Sequence, residues 1–161
     1  MTTRADIEAG FRVDLSNKVS EADAVTRLVH DGFVEAGFST PRVSGRRVIG
    51  PYLNPGVVFA ICRSGENEVA SGVGIPDGPF GLPSDRAFPD LVGDLRSHGR
   101  PVFEGGSLVV APRWRRHRRR VLVLLLATFL RTVAHQEEGT LMVVSMHPRH
   151  TRFYQALLGV T

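Results

Sequence analysis

Several features that mark common protein classes are missing from this chain of 161 residues. Cys62 is the only cysteine, which excludes an internal disulfide and a cysteine-rich zinc site. The longest apolar run, Val121 to Leu130, is interrupted by Thr128 and is about half as long as a membrane-spanning helix. The first residues carry acidic side chains and lack the apolar core of a secretory signal, so we expect a cytoplasmic protein.

The overall composition is that of an ordinary globular domain. Hydrophobic residues make up 42% of the chain and charged residues 22%, which is typical of a folded protein rather than a disordered one. A chain of this length is expected to bury one core. Because no repeat or low-complexity linker divides it, residues 1–161 are predicted to form a single domain.

Acidic residues are scarce in the last third of the chain. Residues 1–112 contain 11 Lys and Arg against 14 Asp and Glu, whereas residues 113–161 contain 9 against 2. Six of these arginines lie between Arg113 and Arg120, so the positive charge is concentrated in one patch. Such a patch favours an anionic partner.

Hydrophobic periodicity predicts alternating strands and helices. Residues 11–17 alternate as in a half-buried strand, and residues 20–37 have helical spacing. Residues 57–76 are predicted to form a β-hairpin. Further strands are expected over residues 101–111 and 140–146, with a short helix before the first and a helix after each. The order βαββαβαβα indicates a mixed α/β fold.

Glycine and proline mark two places in this order where the backbone is expected to be irregular. Residues 76–85 contain three prolines and two glycines, which predicts a fixed irregular loop. The Gly105-Gly106 pair inside a strand suggests a bulge, or a place where another chain or a ligand approaches the backbone. We therefore expect a functional site near the second feature.

The order of four segments resembles one enzyme family: DGPFGLPSD, LRSHGR, FEGGSLVVAPRWRR and HPRHTRFYQALLG. From Phe11 onward, the chain resembles the GNAT acyltransferase core. These segments are closer still to the N-acyl amino acid synthases, which are related in plan to acyl-homoserine-lactone synthases. The resemblance implies a GNAT-like acyl-CoA N-acyltransferase fold, an α+β mixed sheet that apparently lacks its last strand.

The same resemblance implies a reaction and its participants. A long-chain acyl group would pass from a thioester of acyl carrier protein or coenzyme A to the amino group of an amino acid or similar amine. No cofactor would be bound permanently, because the acyl-phosphopantetheine thioester is a co-substrate.

The basic segment departs from the pattern of the family. Where the family has glycines in a phosphate-binding loop, residues 115–120 read Arg-Arg-His-Arg-Arg-Arg. Side chains at these positions prevent the backbone from closing around pyrophosphate, but arginines attract a phosphate or the acidic surface of a carrier protein. This change favours a protein-bound thioester. The predicted donor-binding residues are Val109, Val110, Arg115, Arg116, Arg118, Arg119 and Arg120.

Aminolysis of a thioester needs three groups, and the resemblance assigns each of them. Glu104 matches an acidic residue that would orient or deprotonate the amine. A backbone N–H near Val109 or Val110 would polarise the carbonyl. Tyr154 matches a tyrosine that protonates the departing thiolate. Each side chain also has a structural interpretation, in which Glu104 pairs with an arginine and Tyr154 packs a terminal helix.

Other polar candidates are open to two interpretations. His150, with His147 three residues before it, is a further catalytic candidate or a turn-capping residue. Because no third ligand lies near this pair, we predict no metal site. Cys62 lies in an apolar run and is expected in the core, which favours direct transfer without an acyl-enzyme. Ser107 stands where close relatives usually carry arginine, so the acceptor remains open.

Two other functions are compatible with the sequence. The arginine cluster with Trp114 fits a nucleic-acid-binding surface, although no nucleic-acid-binding motif occurs elsewhere. A catalytically inactive GNAT-like domain fits the missing glycines and Ser107. A sheet without its last strand would expose an edge, which predicts a homodimer. The enzymatic interpretation requires that residues 101–111 and 140–146 lie side by side and then separate to admit pantetheine.

Overall fold

A computed structural model describes residues 10–158, in which five strands form one mixed sheet. Their order in the sheet equals their order in the chain: β1 (Arg12–Ser16), β2 (Val58–Ser64), β3 (Asn67–Pro76), β4 (Val102–Val110) and β5 (Leu141–Val143). The first four strands pair antiparallel, and β5 joins β4 in parallel. Parallel pairing requires a crossover between β4 and β5, which a helix supplies.

Helices cover both faces of the sheet. They are α1 (Val19–Glu35), α2 (Pro89–Ser97), α3 (Arg118–Ala134) and α4 (Thr151–Leu158). The predicted order βαββαβαβα is confirmed, while the prediction of one domain over residues 1–161 extends beyond the described residues at both ends. No helix within residues 10–158 is long and apolar enough to cross a membrane.

Alternation along the strands divides the core into two layers. One layer lies between the sheet and α1, with Val25, Val29, Ile61, Val73 and Ile75 fully buried. The other lies between the sheet and α3, with Cys62, Val69, Val121, Leu125 and Phe129 fully buried. The expectation that Cys62 is a core residue is therefore confirmed. Successive strand residues point to opposite faces, so β2, β3, β4 and β5 contribute to both layers, whereas β1 adds Val13 to the layer beside α3 alone.

The parallel pair β4–β5 is short. Its register joins Val102 to Leu141, Phe103 to Met142 and Glu104 to Val143. Beyond this point β4 continues to Val110, paired with β3 on its other edge, while strand structure in the other segment ends at Val143. The two segments thus lie side by side only at their beginnings, and the predicted strand over residues 140–146 is shorter than expected.

A bulge distorts β4 where the two strands part. Val73 faces Gly106 and Ser71 faces Val109, so β4 has one residue more than β3 in this interval. Ser107 lies in it with φ of +53°, a left-handed conformation that non-glycine residues seldom adopt. A bulge of this kind bends and twists its strand. The bulge predicted near the Gly105-Gly106 pair is confirmed, one residue further along.

The outer edge of β5 is unpaired within residues 10–158, since β5 is the last strand in the sheet order. Exposed edges favour pairing with another chain. The predicted homodimer therefore remains compatible with this fold and stays a prediction.

Replacing Phe129 with alanine should lower the free energy of unfolding by about 3–5 kcal/mol. The ring is fully buried and packs against Phe103, with 6.5 Å between the ring centres. The matched control is Leu130→Ala, because Leu130 follows on the same helix and is 45% exposed. It should cost about 1 kcal/mol or less. Urea unfolding measures both variants, and equal losses would contradict the assigned inner face of α3.

Candidate active site

A cavity of about 290 Å³ lies beside the part of β4 that β5 leaves uncovered. Its walls come from the end of α1, the last residues of β4, the start of α3 and the chain around α4. It brings together six of the predicted site residues: Val109, Val110, Arg115, Arg118, His150 and Tyr154. These residues are up to 45 positions apart in the sequence, so it is the tertiary packing that brings them together.

The end of α1 closes one side of the cavity. Gly32 faces Val109 so closely that a Cβ atom at position 32 would collide with the valine side chain. The absence of a side chain therefore lets α1 pack directly on β4 at the bulge. Phe33, the next residue, lines the cavity. This contact was not anticipated, because a glycine inside a helix gives no sign of what it packs against.

The backbone of β4 offers a hydrogen-bond donor at the uncovered edge. The N–H of Ala111 donates to the carbonyl of Val69 on β3, at 2.8 Å. Neighbouring N–H groups in a strand point to opposite edges. The N–H of Val110 therefore points away from β3, towards the edge of β4 that β5 leaves unpaired beyond Glu104. This placement suits a donor to an extended ligand lying between the two strands.

Glu104 lies at the last paired position of β4 and is almost fully buried. Its Oε2 accepts hydrogen bonds from the backbone N–H of Ser84 at 2.9 Å and from the Ser84 hydroxyl at 2.7 Å. Its Oε1 accepts one from the Ser145 hydroxyl at 3.0 Å. The expected arginine partner is not found within the described residues. Three donors instead fix the carboxylate at the point where the strands part.

Asn54 organises the loop that carries Ser84. The Asn54 side chain donates to the carbonyls of Pro76 and Gly81 and accepts from the N–H of Phe80. Asn54 is buried, and it bonds to both ends of the turn. The irregular loop predicted over residues 76–85 is therefore held fixed, by a residue outside it that no motif revealed.

Two ion pairs also hold the loop of residues 76–85 in place. The Arg96 guanidinium pairs with Asp77 at 2.6 Å and with Asp85 at 2.5 Å. Asp85 also accepts from the N–H of Leu82 at 2.7 Å. The hydrogen bond from Arg96 is the main reason that the pKa of Asp85 lies below its usual value. These contacts position Ser84, which follows Leu82 by two residues, against Glu104.

Tyr154 and His150 reach the cavity from the chain that follows β5. Tyr154 is 7% exposed, and its burial raises the pKa of the phenol above the usual value of 10. The phenol is therefore protonated at neutral pH and can donate a proton. His150 donates its backbone N–H to the carbonyl of His147, whose ring stacks on Phe38 at 5.5 Å.

The arginine cluster is divided between two surfaces. Arg115 and Arg118 line the cavity, and Arg115 pairs with Glu35 of α1 at 2.7 Å. The other three predicted donor-binding arginines lie on a separate surface beside His117, Val123 and Leu124: Arg116, Arg119 and Arg120. The cluster therefore does not form one rim around the cavity.

The backbone before α3 is helical and does not form an open loop. Residues Pro112–His117 form a 3₁₀-helix that leads directly into α3, and the N–H of Arg118 donates to the carbonyl of Arg115. A glycine-rich loop would leave such N–H groups for phosphate. Trp114 packs edge-on against Phe11, with 6.0 Å between the ring centres, and its Nε1 is buried. Trp114 is thus half-buried against the core layer beside α3.

Three polar residues of this region escaped sequence reasoning: Asn54, Ser84 and Ser145. They lie in loops or turns, where no periodicity or spacing distinguishes a buried polar group from an exposed one. Within residues 10–158, no three His, Cys, Asp or Glu side chains are grouped closely enough to hold a metal ion.

Solved structures share this architecture. FeeM, an N-acyl amino acid synthase from uncultured soil microbes, superposes with a TM-score of 0.71 and 19% identity, covering 90% of this chain and 77% of that chain. An aminoglycoside acetyltransferase from an uncultured soil metagenomic sample, solved with sisomicin, has a TM-score of 0.53 and 10% identity, covering 96% and 90%. At these identities the similarity shows the fold, which is the predicted GNAT-like fold.

Sequence comparison identifies the family. The comparison with curated proteins finds no match. A family model described as N-acyl amino acid synthase FeeM matches residues 24–161, a range that contains the cavity and all the predicted site residues. The chain therefore belongs to the FeeM family of N-acyl amino acid synthases.

Proposed function

We propose that this chain is a cytoplasmic N-acyltransferase that moves a long-chain acyl group from acyl carrier protein to the amino group of an amino acid. Membership of the family supports N-acyltransferase activity with an acyl thioester as donor. The observation that carries the proposal is the separation of β4 and β5 after the pair Glu104–Val143. Beside the uncovered part of β4 lies a cavity whose lining includes Val110, Tyr154 and two arginines, Arg115 and Arg118.

The donor arm is proposed to lie between the separated strands. Pantetheine is an extended chain with two amide groups, so it pairs with an uncovered strand edge much as another strand would. The N–H of Val110 then donates to an amide carbonyl of the arm, because Val110 lies six residues, or about 20 Å, along β4 from Glu104 and the reacting thioester has to lie nearer to that carboxylate. Arg115 and Arg118, which line the cavity, attract the phosphate at the other end of the arm.

Transfer then needs one nucleophile and two proton transfers. The amine nitrogen attacks the thioester carbonyl carbon, which forms the C–N bond and breaks the C–S bond. The proton leaving the nitrogen passes to the Glu104 carboxylate, directly or through water, and the thiolate takes a proton from the Tyr154 phenol. The products are an N-acyl amino acid and the free pantetheine thiol.

The division of the arginines favours a carrier protein over coenzyme A. The 3₁₀-helix before α3 uses backbone N–H groups that a pyrophosphate-binding loop would offer. Carrier-bound pantetheine has one phosphodiester, which Arg115 and Arg118 can meet. The exposed surface formed by Arg116, Arg119 and Arg120 is suited to acidic side chains of a carrier protein.

Product analysis tests the proposed reaction. The protein is incubated with long-chain acyl carrier protein and a mixture of L-amino acids, and products are examined by mass spectrometry. We expect N-acyl amino acids, and Glu104→Gln should lower kcat by roughly 10²- to 10⁴-fold because the proton acceptor is lost. Glu137→Gln, an exposed carboxylate, is the matched control. An inactive domain would give no product, and unchanged turnover in Glu104→Gln would contradict the assigned base.

Tyr154→Phe should lower kcat by roughly 10²-fold or more and leave the KM for the donor unchanged, because only the proton donor is removed. Because burial raises the pKa of Tyr154 above its usual value of 10, the wild type should lose less than about a tenth of its activity through ionisation of this group up to pH 9. Initial rates from pH 7 to 9 measure this. A fall in wild-type kcat within that range that disappears in Tyr154→Phe would contradict the raised pKa.

The carrier surface is tested by charge reversal. Arg116→Glu combined with Arg119→Glu should raise the KM for acyl carrier protein by about tenfold or more at low salt, with less effect at high salt. The KM for acyl-pantetheine, which lacks the protein, should not change. Arg131→Glu, at the other end of α3, is the control. Equal effects on both donors would show that these arginines act on pantetheine rather than on the carrier.

A further inference from the structure

The thioester carbonyl of the proposed donor needs a hydrogen-bond donor of its own. With the N–H of Val110 bonded to an amide of the pantetheine arm, the thioester lies further along β4, towards Glu104. From the amide nearest the phosphate, the arm continues for about nine bonds to the thioester carbonyl, which is the length of three extended backbone residues, or about 10 Å. Ser107 stands three positions before Val110 in β4. The thioester carbonyl is therefore expected beside Ser107.

Ser107 lies on the same face of the sheet as Glu104. Glu104 pairs with Ile75 of β3, which belongs to the layer between the sheet and α1, and residues directly opposite each other share a face. The Ser107 hydroxyl lies 2.7 Å from the hydroxyl of Tyr52, a member of the same layer. Ser107 and Glu104 are three positions apart, or about 10 Å along the strand. They thus flank one short stretch of this face.

The stretch between these two side chains is open. Gly106 pairs with Val73 of the same layer, so a side chain at position 106 would point to this face. A Cβ atom added there would meet nothing within 4 Å among residues 10–158 other than its chain neighbours. Two hydrogen bonds of about 3 Å, one at each end, leave room for a carbonyl group and an amine nitrogen about 3 Å from its carbon. The spacing therefore suits an amine at Glu104 that attacks a thioester at Ser107.

The Ser107 hydroxyl has a hydrogen to donate. Tyr52 is 6% exposed, and a buried phenol donates its hydrogen, for which the Ser107 oxygen is the acceptor. Burial raises the pKa of Tyr52, against the opposing influences of the bond to Ser107 and of the positive charge of Arg47, so the phenol keeps its hydrogen at neutral pH. The half-buried Ser107 hydroxyl then directs its own hydrogen to a ligand.

The backbone at Ser107 is strained in a way that glycine would relieve. Its φ of +53° lies in the left-handed region, where a Cβ atom is unfavourable. Strained conformations persist where surrounding contacts fix them, and they cluster at functional sites. A glycine would serve the bulge alone better than a serine does. The serine, held by Tyr52, therefore indicates that a hydroxyl is needed at this point.

We propose that Ser107 is a catalytic residue whose hydroxyl donates to the thioester oxygen and stabilises the negative charge that forms there, with Tyr52 as its positioning residue. The proposal rests on the proposed function and adds the group that polarises the carbonyl. As the amine forms the C–N bond, the carbonyl electron pair moves onto oxygen. It returns when the C–S bond breaks and sulfur leaves with its electron pair. Ser107 keeps its proton throughout, and the proton transfers remain those of Glu104 and Tyr154.

Turnover and stability of two Ser107 variants test this role. With long-chain acyl carrier protein and mixed L-amino acids, Ser107→Ala and Ser107→Gly should both lower kcat by roughly 10²- to 10³-fold, because each lacks the hydroxyl. The KM for the donor should stay unchanged, since this bond strengthens only as charge develops. Ser107→Gly should unfold about 2–4 °C above Ser107→Ala, because only alanine is strained there. Activity that returns in the more stable glycine variant would overturn the proposal.

Two further variants separate positioning from the loss of any hydroxyl. Tyr52→Phe keeps the ring against Phe59, at 5.9 Å between ring centres, and should lower kcat by about tenfold because the Ser107 hydroxyl is no longer held. Unchanged kcat would overturn the role of Tyr52. Ser64→Ala removes a half-buried hydroxyl at the end of β2 and should keep the wild-type kcat.

A thioether analogue of acyl-pantetheine, which lacks the carbonyl, separates catalysis from binding of the arm. Equilibrium binding should give the same Kd for the wild type and Ser107→Ala, because the analogue offers no oxygen to the hydroxyl. Weaker binding by Ser107→Ala would assign Ser107 to binding of the arm and overturn its catalytic role.

Release of the carrier thiol, measured with a thiol reagent, distinguishes failure of this proposal from failure of the proposed function. N-acyl amino acids formed at the wild-type rate by Ser107→Ala overturn the role of Ser107 and leave the acyltransferase intact. Thiol release without acylated product, slowed in Ser107→Ala, supports the role of Ser107, because attack by water builds the same oxyanion, and contradicts transfer to an amine. Neither thiol release nor product overturns both.

Discussion

The arrangement of this protein depends on how one buried carboxylate is satisfied. Burying an ionised carboxylate is costly unless donors surround it, and Glu104 receives hydrogen bonds from Ser84 and Ser145. These donors come from the loop before α2 and from the chain after β5. Glu104 therefore ties three segments together at the last paired position of β4 and β5. The same contacts fix the proposed base at the point where β4 and β5 part.

The bulge of β4 adds a second contact between this strand and the rest of the chain. Ser107 adopts a left-handed conformation and bonds to Tyr52, which belongs to the layer between the sheet and α1. The strand bends at this point, and Gly32 allows α1 to follow it closely. The cavity is thus bounded on the α1 side by packed residues, which include Gly32 and Phe33.

Charge at the start of α3 is arranged by helical geometry. Positions three and four residues apart share a face once the chain is wound. Arg115, Arg118 and Leu122 therefore face the cavity, whereas Arg116, Arg119 and Arg120 lie on the other surface. An open loop, such as the phosphate-binding loop of the family, would impose no such division. The 3₁₀-helix explains why one run of arginines serves two separate surfaces.

The sequence by itself determined the order of strands and helices, the buried position of Cys62, the fixed loop and the bulge, and the chain's resemblance to its family. These depend on periodicity and on the local conformations of glycine and proline, which neighbouring residues carry. Only the tertiary structure decided which donors surround Glu104 and which arginines reach the cavity. The donors to Glu104 lie 20 and 41 positions from it in the chain, and Arg115 pairs with Glu35 at a separation of 80 positions, so these contacts follow from packing rather than from spacing in the chain.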